Sequence, residues 1–493
     1  MAISLSLAQL DRLPDGVERP GYDRADLSPG ILHIGIGNFH RAHQAVYLDR
    51  LFSMGRDHDW AVIGAGVKPF DAARRRVLME QDWLTTVVEL DPEQLTAQVT
   101  GAMIDFCEVS SQALIERLSD PAIRIVSLTI TEGGYYMDPD GGFDTKNIEI
   151  QEDARRPDDP QTVFGILLAG LRRRRDLGHA PFTVLSCDNL PENGHVTRRT
   201  LEGLSGLIDP ALRDWVHDHV ACPNCMVDCI APAITDSERD LVAERFDIAD
   251  AAPVTCEPFR QWVMEDNFPL GRPALEHVGV EFVQDVAPYE TMKLRILNAG
   301  HAAIAYPAAL LGYHYVHDAM ADAQIRVWLS QLMRREVIPV LPKIDGVDFG
   351  SYLDMCVSRF SNPVINDTVA RLCLDGSNRQ PKFVLPTVMD ALALDQPVDG
   401  LALEVAFWCR YCAASADPAS GIALADERAE RLAEAALATR QDGVSFLHLR
   451  EVFGSLAEEP RFVAVFKKHA MSLWSGSTRD ALAKFADVAQ NEA

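Results

Sequence analysis

The 493-residue chain is 47% hydrophobic and 24% charged, an ordinary globular composition with length enough for two substantial domains. Its formal net charge of -26 excludes a broad nucleic-acid surface, because phosphate contacts need a basic footprint. No apolar run reaches the roughly 18 residues of a membrane span, and MAISLSLAQLDRLPDG lacks the basic and apolar regions of a secretory signal, so a cytoplasmic protein with no membrane partner is expected.

In chain order, the first informative element is ILHIGIG, a short strand running through Gly35 and Gly37 into a helix with apolar Ala45, Val46, Leu48, Leu51 and Phe52. Glycines at such a junction let the backbone approach a pyrophosphate, which the helix amino terminus attracts. The pattern is Gly-x-Gly only, because His40 stands where the third glycine of the dinucleotide fingerprint would be. Asn38, Phe39 and Arg41 are expected to line the loop. A second strand, WAVIGAGV, leads to Lys68, Pro69, Phe70 and Asp71. An acid there accepts hydrogen bonds from ribose hydroxyls, so Asp71 favours NAD, while Lys68 leaves NADP possible.

IRIVSLTIT from Ile123 and FTVLSCDN from Phe182 read as further buried strands, with helical SQALIERL and TVFGILLAGLRRRR between them. This alternation predicts an α/β Rossmann-type, doubly wound domain over residues 1–284. Its run Arg172 to Arg175 reads as a solvated helix end. A mainly α-helical domain is expected over residues 285–493, from KLRILNAGHAAIAY, AQIRVWLSQLMRREVIPVL, GLALEVAFWCRYCAA and ERAERLAEAALATR. HAAIAYPAALLGYHYV reads as a buried helix that turns or kinks at Pro307. Two pairs with zinc-like spacing, Cys222 with Cys225 and Cys409 with Cys412, lie far apart, and the second falls in a buried-helix pattern. Free thiols and no metal are expected.

Polar islands interrupt these patterns: Glu132 in TITEGGY, Asn189 in SCDNLPENG, Asp228 in MVDCIAP, and Glu290, Lys293, Asn298 and His301 in PYETMKLRILNAGH. Each alone fits a turn, a cap or a satisfied buried acid. With a dinucleotide loop they fit a dehydrogenase that needs a base for a hydroxyl proton and donors for the alkoxide. A lysine in partly apolar surroundings loses affinity for its proton, which makes Lys293 the candidate base. On an α-helix at about 100° per residue, His301 lies roughly 80° and Asn298 roughly 140° round from it. The amides of Asn189 and Asn298 would donate to the oxyanion, His301 would orient a hydroxyl and Glu290 would relay the proton. Glu132 joins Asp71 and the loop residues as a cofactor contact.

The motifs GIGNFHRAHQAVYLD, IVSLTITEGGY, FTVLSCDNLPENG, CEPFRQWVMEDNF, DVAPYETMK, KLRILNAGH and DGSNRQPKF resemble the polyol-specific long-chain dehydrogenases, most closely those that interconvert mannitol and fructose. The resemblance implies a Rossmann-type amino-terminal domain, a helical carboxy-terminal domain, NAD, a polyol or ketose as partner, lysine as general acid/base, no metal ion and a monomer. Within that family, arabinitol or sorbitol oxidation and fructuronate or tagaturonate reduction are the alternatives. A non-catalytic dinucleotide-binding sensor is the alternative of another class. Carried over by motif, Asn189 and Asn298 look like the oxyanion pair, Asp228, His301, Arg371 and Arg379 like substrate contacts, and Glu290 like a proton-channel gate. The chain departs from the family at Arg379, commonly lysine, at Cys229, commonly arginine, at Phe70, often an acid, and at Arg295, often a small residue.

Overall fold

The computed structural model describes residues 2–138, 141–232 and 235–491. The chain divides into two compact units, Met1–Ala287 and Pro288–Ala493.

The first unit is built on five parallel strands: β1 (Pro29–Ile34), β2 (Ala61–Ala65), β3 (Met103–Phe106), β4 (Ile125–Leu128) and β5 (Thr183–Ser186). They lie in the order β3-β2-β1-β4-β5, the Rossmann arrangement. Both faces are buried, so successive side chains feed two different cores. Leu32, Ile34, Val126, Leu128 and Val184 pack with helices α4 (Ser111–Ser119) and α5 (Val163–Leu177). Ile31, Val62, Ile125 and Leu185 pack with helix α2 (Gln44–Ser53) and with Trp262 and Met264 of a small mixed sheet. That sheet holds Cys225–Asp228, Gln261–Glu265 and Glu281–Val283. A four-stranded sheet has Thr85–Glu89 antiparallel to Thr96–Thr100, and a two-stranded parallel pair joins Ile3–Ser4 to Ile248–Ala249. The sequence patterns foreshadowed none of these added sheets, since their strands are short and interrupted by polar residues.

The arginine run is not simply a solvated helix end. Arg174 is fully buried and donates to the carbonyls of Leu118, Ala180, Asp120 and Ile123 with its guanidinium over the Phe182 ring. To either side, Arg173 is exposed and Arg175 half-buried.

The second unit is helical; among its described residues the extended pairing is confined to a single bridge, Tyr315 with Thr368. Its centre is Asp399–Ala414, apolar on nearly every side and packed against Pro460–Ser475, Ala429–Asp442 and Ala299–Leu310. The helix containing Pro307 runs on through it to Leu310 instead of ending there. Proline lacks the N–H that would reach the Ala303 carbonyl, and Trp328 Nε1–H occupies that carbonyl at 2.9 Å. No helix among the described residues is long and apolar enough to cross a membrane.

Candidate active site

In the first unit, β1 leads into the glycine loop and helix α1 (Asn38–Ala42). Gly35 has φ +101, and a Cβ there would lie 2.1 Å from the Thr129 carbonyl oxygen, so the turn admits only glycine. At Gly37 the space is open, with the nearest atom, Gly35 O, 3.8 Å from where a Cβ would sit. Backbone shaped this way fits a dinucleotide pyrophosphate. Arg41 is buried and holds the loop from within, donating to Gly37 O, Asn38 Oδ1 and Ala252 O. Burial, with Arg74 nearby, pushes its guanidinium down to about 10. Asn38 Nδ2 donates to Pro232 O at 3.0 Å, which ties the loop to the segment following Asp228. Phe39 stacks on His43 at 4.7 Å.

The missing third glycine has a physical substitute. The His40 ring stacks on His33 of β1 at 3.8 Å, and both rings are buried. Gly35 O can only accept, so Thr129 Oγ1 donates to it at 2.7 Å and accepts from His33 Nε2 at 2.9 Å. His33 Nδ1 then accepts from Ser127 Oγ at 2.8 Å, and Gln44 joins Ser127 to His40 Nδ1 at 3.2 and 2.8 Å. Both imidazoles are neutral, because burial pushes His33 well below its ordinary value and His40 down to about 3.

Asp71 lies in the first turn of α3 (Pro69–Glu80), where it is buried and accepts the Lys68 N–H at 2.9 Å. Lys68 and Phe70 are exposed beside it. Glu132 is exposed on a short turn after β4, entered through Thr131 at φ +67, an unusual conformation for a β-branched residue. Asn189, also exposed, follows β5. Between them is a residue that sequence reasoning passed over. Asp188 accepts the N–H groups of Ile130 and Thr131, each at 2.9 Å, and the Tyr135 hydroxyl at 2.7 Å. One carboxylate therefore clamps the loop after β4, with its strained threonine, to the chain position next to Asn189. Asp228 is buried at the end of its strand, facing Gln261 across the ladder.

In the second unit, Lys293, Asn298 and His301 do not share one regular α-helix, for only His301 is on α-helical backbone. Residues Lys293–Asn298 form a π-helical turn between Ala287–Met292 and Ala299–Leu310. Its wider i→i+5 turn replaces the 100° geometry, and such insertions are frequent at functional sites. Lys293 is 8% exposed and Asn298 half-buried. Half-buried Glu290 precedes them, and His301 lies 4.3 Å from the Phe360 ring. Arg295 turns away to Thr387 and Asp390, at 2.9 and 3.0 Å. The turn packs against the helix Gly376–Phe383, which carries Arg379. Arg379 donates to the carbonyls of Arg371 and Leu372, at 3.3 and 3.2 Å, so the structure brings these two arginines together. Arg371 itself forms a two-point pair with Asp367.

Behind Arg379 is a buried acid with no sequence signature. Glu404 is 1% exposed and accepts from Gln380 Nε2 at 2.6 Å. Its other oxygen and the nearby Trp408 Nε1 have no hydrogen-bond partner. Burial pushes Glu404 up to about 8. Burial likewise pushes Glu336 up to about 7, although it accepts the N–H groups of Gly400 and Leu401.

The ten cysteines are free thiols. Among the described residues, no group of three or more His, Cys, Asp or Glu is arranged to hold a metal ion.

Comparison with known proteins follows the same division. Residues 29–277 match the family described as mannitol dehydrogenase Rossmann domain, and residues 285–474 the mannitol dehydrogenase C-terminal domain. A mannitol 2-dehydrogenase of Cereibacter sphaeroides is 51% identical over 95% of this chain and 98% of its own length. One from Pyricularia oryzae is 40% identical over 94% and 95%. Among solved structures, the Pseudomonas fluorescens mannitol 2-dehydrogenase in ternary complex with NAD and D-mannitol is 40% identical with a TM-score of 0.84, covering 98% of this chain and 100% of that one. A substrate-free D-sorbitol dehydrogenase is 33% identical with a TM-score of 0.91, covering 97% and 100%.

Proposed function

The chain belongs to the mannitol dehydrogenase family, and from that premise we propose that it oxidises D-mannitol to D-fructose with NAD and catalyses the reverse reduction. It is an NAD-dependent polyol dehydrogenase. The observation that carries the chemical assignment is Lys293, a lysine with 8% exposure on a π-helical turn it shares with Asn298. Withdrawal from water favours the neutral amine, so Lys293 Nζ takes the C2 hydroxyl proton in oxidation and returns it in ketose reduction. The side-chain amides of Asn189 and Asn298 donate to the oxygen as negative charge develops on it, which does the work that a Lewis acid would otherwise supply. Glu290 passes the proton on to solvent.

Gly35, Gly37 and Asn38 hold the dinucleotide through the backbone opening at Gly37, with Arg41 bracing the loop from behind. Phe39 lines that loop, and Glu132 and Asp71 complete the cofactor contacts. NAD supplies the hydride acceptor. Asp228, His301, Arg371 and Arg379 bind the remaining hydroxyls of the polyol. The protein acts in the cytoplasm as a monomer.

Lys293→Ala tests this reading. Turnover should fall about 100- to 10,000-fold, while NADH binding, followed by fluorescence, stays intact. Undiminished turnover would remove lysine from the mechanism.

A further inference from the structure

Where the family commonly has arginine, this chain has Cys229, immediately after Asp228. The cation is supplied from across the ladder. Asp228 pairs with Gln261 in an antiparallel register, so the next residues on the two chains are Cys229 and Arg260. Arg260 is buried, its side chain 3% exposed, and it pairs with Glu89 and donates to Ala42 O at 2.7 Å. Its third donor reaches a sulfur, Cys256 Sγ, at 3.1 Å. The segments carrying the two thiols run side by side: Glu257 N–H donates to Ile230 O at 3.0 Å, and Ile230 N–H to Glu257 Oε1 at 2.6 Å. Cys229 packs against the small apolar cluster that includes Cys256, which places the two side chains beside one another.

We propose that Cys229 and Cys256 form a reversible disulfide, a covalent control point whose closure acts on Asp228. Cys229 beside it and the Arg260 cation, 3.1 Å away, hold the Cys256 thiol below its ordinary value, while Cys256 and burial hold the Cys229 thiol above its own. A cation against a cysteine sulfur favours its thiolate and marks a reactive site. Other cysteines are inert by comparison, with burial pushing Cys107 up to about 11 and Cys222, Cys373 and Cys409 up to about 12. A second thiol pair, Cys187 with Cys225, is wholly buried and has Asp188, not a cation, beside it. Cys229 alone among the ten is partly exposed.

The oxidant is a small disulfide such as oxidised glutathione. Cys229 gives its proton to solvent and its sulfur attacks the reagent; the reagent S–S bond breaks, a mixed disulfide forms on Cys229 and one thiolate leaves. That thiolate takes the proton from Cys256. The Cys256 sulfur, its negative charge stabilised by Arg260, attacks Cys229 Sγ and expels the second thiolate. Two protein thiols are oxidised and one small disulfide is reduced. Closing the bond draws the backbone next to Asp228 toward Cys256; its effect on turnover rests on the function proposed above.

The experiment treats the full chain with oxidised glutathione, maps disulfides by peptide mass spectrometry with fragmentation, and follows NADH oxidation with fructose before and after dithiothreitol. The expected result is a Cys229–Cys256 link, with turnover reduced roughly ten- to hundred-fold and restored by the reductant, and no such loss in Cys229→Ser. Absence of the link overturns the proposal, as does equal inactivation of the wild type and Cys229→Ser. A link that leaves turnover unchanged overturns the control of Asp228. If the untreated protein turned over no ketose, the proposed function would fail, while the peptide map would still decide the thiol pair.

Discussion

Beneath the glycine loop of the first unit, alongside the buried Arg41, neutral groups relay hydrogen bonds to one another, from Gln44 through Ser127, His33 and Thr129 to Gly35. In the second unit Glu404 and Glu336 are carboxyls shifted by burial into the neutral pH range. A backbone that must hold one shape for a pyrophosphate is served by groups that do not change charge near neutrality, since His40 titrates only at about 3. Helices of the second unit are instead packed on groups that do. The relay beneath the glycine loop should therefore be indifferent to pH over the working range, whereas Glu404 and Glu336, and Asp49 elsewhere in the first unit, which burial raises to about 6, should respond to it.

The sharpest separation of the two regions is Lys293→Ala, which should abolish chemistry and spare cofactor binding. Gly35→Val should do the reverse. A Cβ 2.1 Å from Thr129 O, at φ +101, strains the turn by about 1–3 kcal/mol. The NADH dissociation constant should rise roughly ten- to hundred-fold, measured by fluorescence titration; unchanged affinity would place the cofactor elsewhere. Asp188→Ala removes the acceptor shared by Ile130, Thr131 and Tyr135. Leaving such donors unpaired costs about 1–3 kcal/mol, and kcat should fall further than NADH affinity, because the released loop is next to Asn189. Steady-state kinetics with a melting curve would distinguish this from general unfolding.

The smallest effect concerns pH. Glu404 is raised from 4.5 to about 8 in the folded chain, so the unfolded chain loses this proton first. Its contribution to stability is full below about 4.5 and is lost as pH rises toward 8. Melting temperature should decline over that window, and Glu404→Gln should flatten the decline. An unchanged profile in the variant would assign the titration to Glu336 or to other groups.

Four strands of the Rossmann sheet were legible because parallel strands buried on both faces are nearly continuous apolar runs, and Gly35 and Gly37 mark the junction where β1 meets its helix; β3 was not, since it is short and carries Asp105 with a half-buried middle. The helical second unit was legible from its periodicity. The π-helical turn was not, since KLRILNAGH has the same apolar spacing as an ordinary helix and the inserted residue shows only in the hydrogen bonding. Arg174 looked like its neighbours because a run of arginines does not reveal which one meets four carbonyls. Asp188 was hidden beside the more suggestive Asn189. Glu404 has no sequence signal at all: an acid within GLALEVAFW is unusual, but its partner Gln380 lies on another helix. His40 was visible only as a missing glycine, and its stack on His33 explains why the fingerprint departs there.

The most direct test of the account is the initial rate of NADH oxidation by the chelator-treated wild type, with fructose compared against tagatose, xylulose and fructuronate, and NADPH run in parallel. The account predicts the fastest turnover with fructose and NADH, unaffected by the chelator. Faster turnover of fructuronate, or loss of activity on chelation, would contradict it.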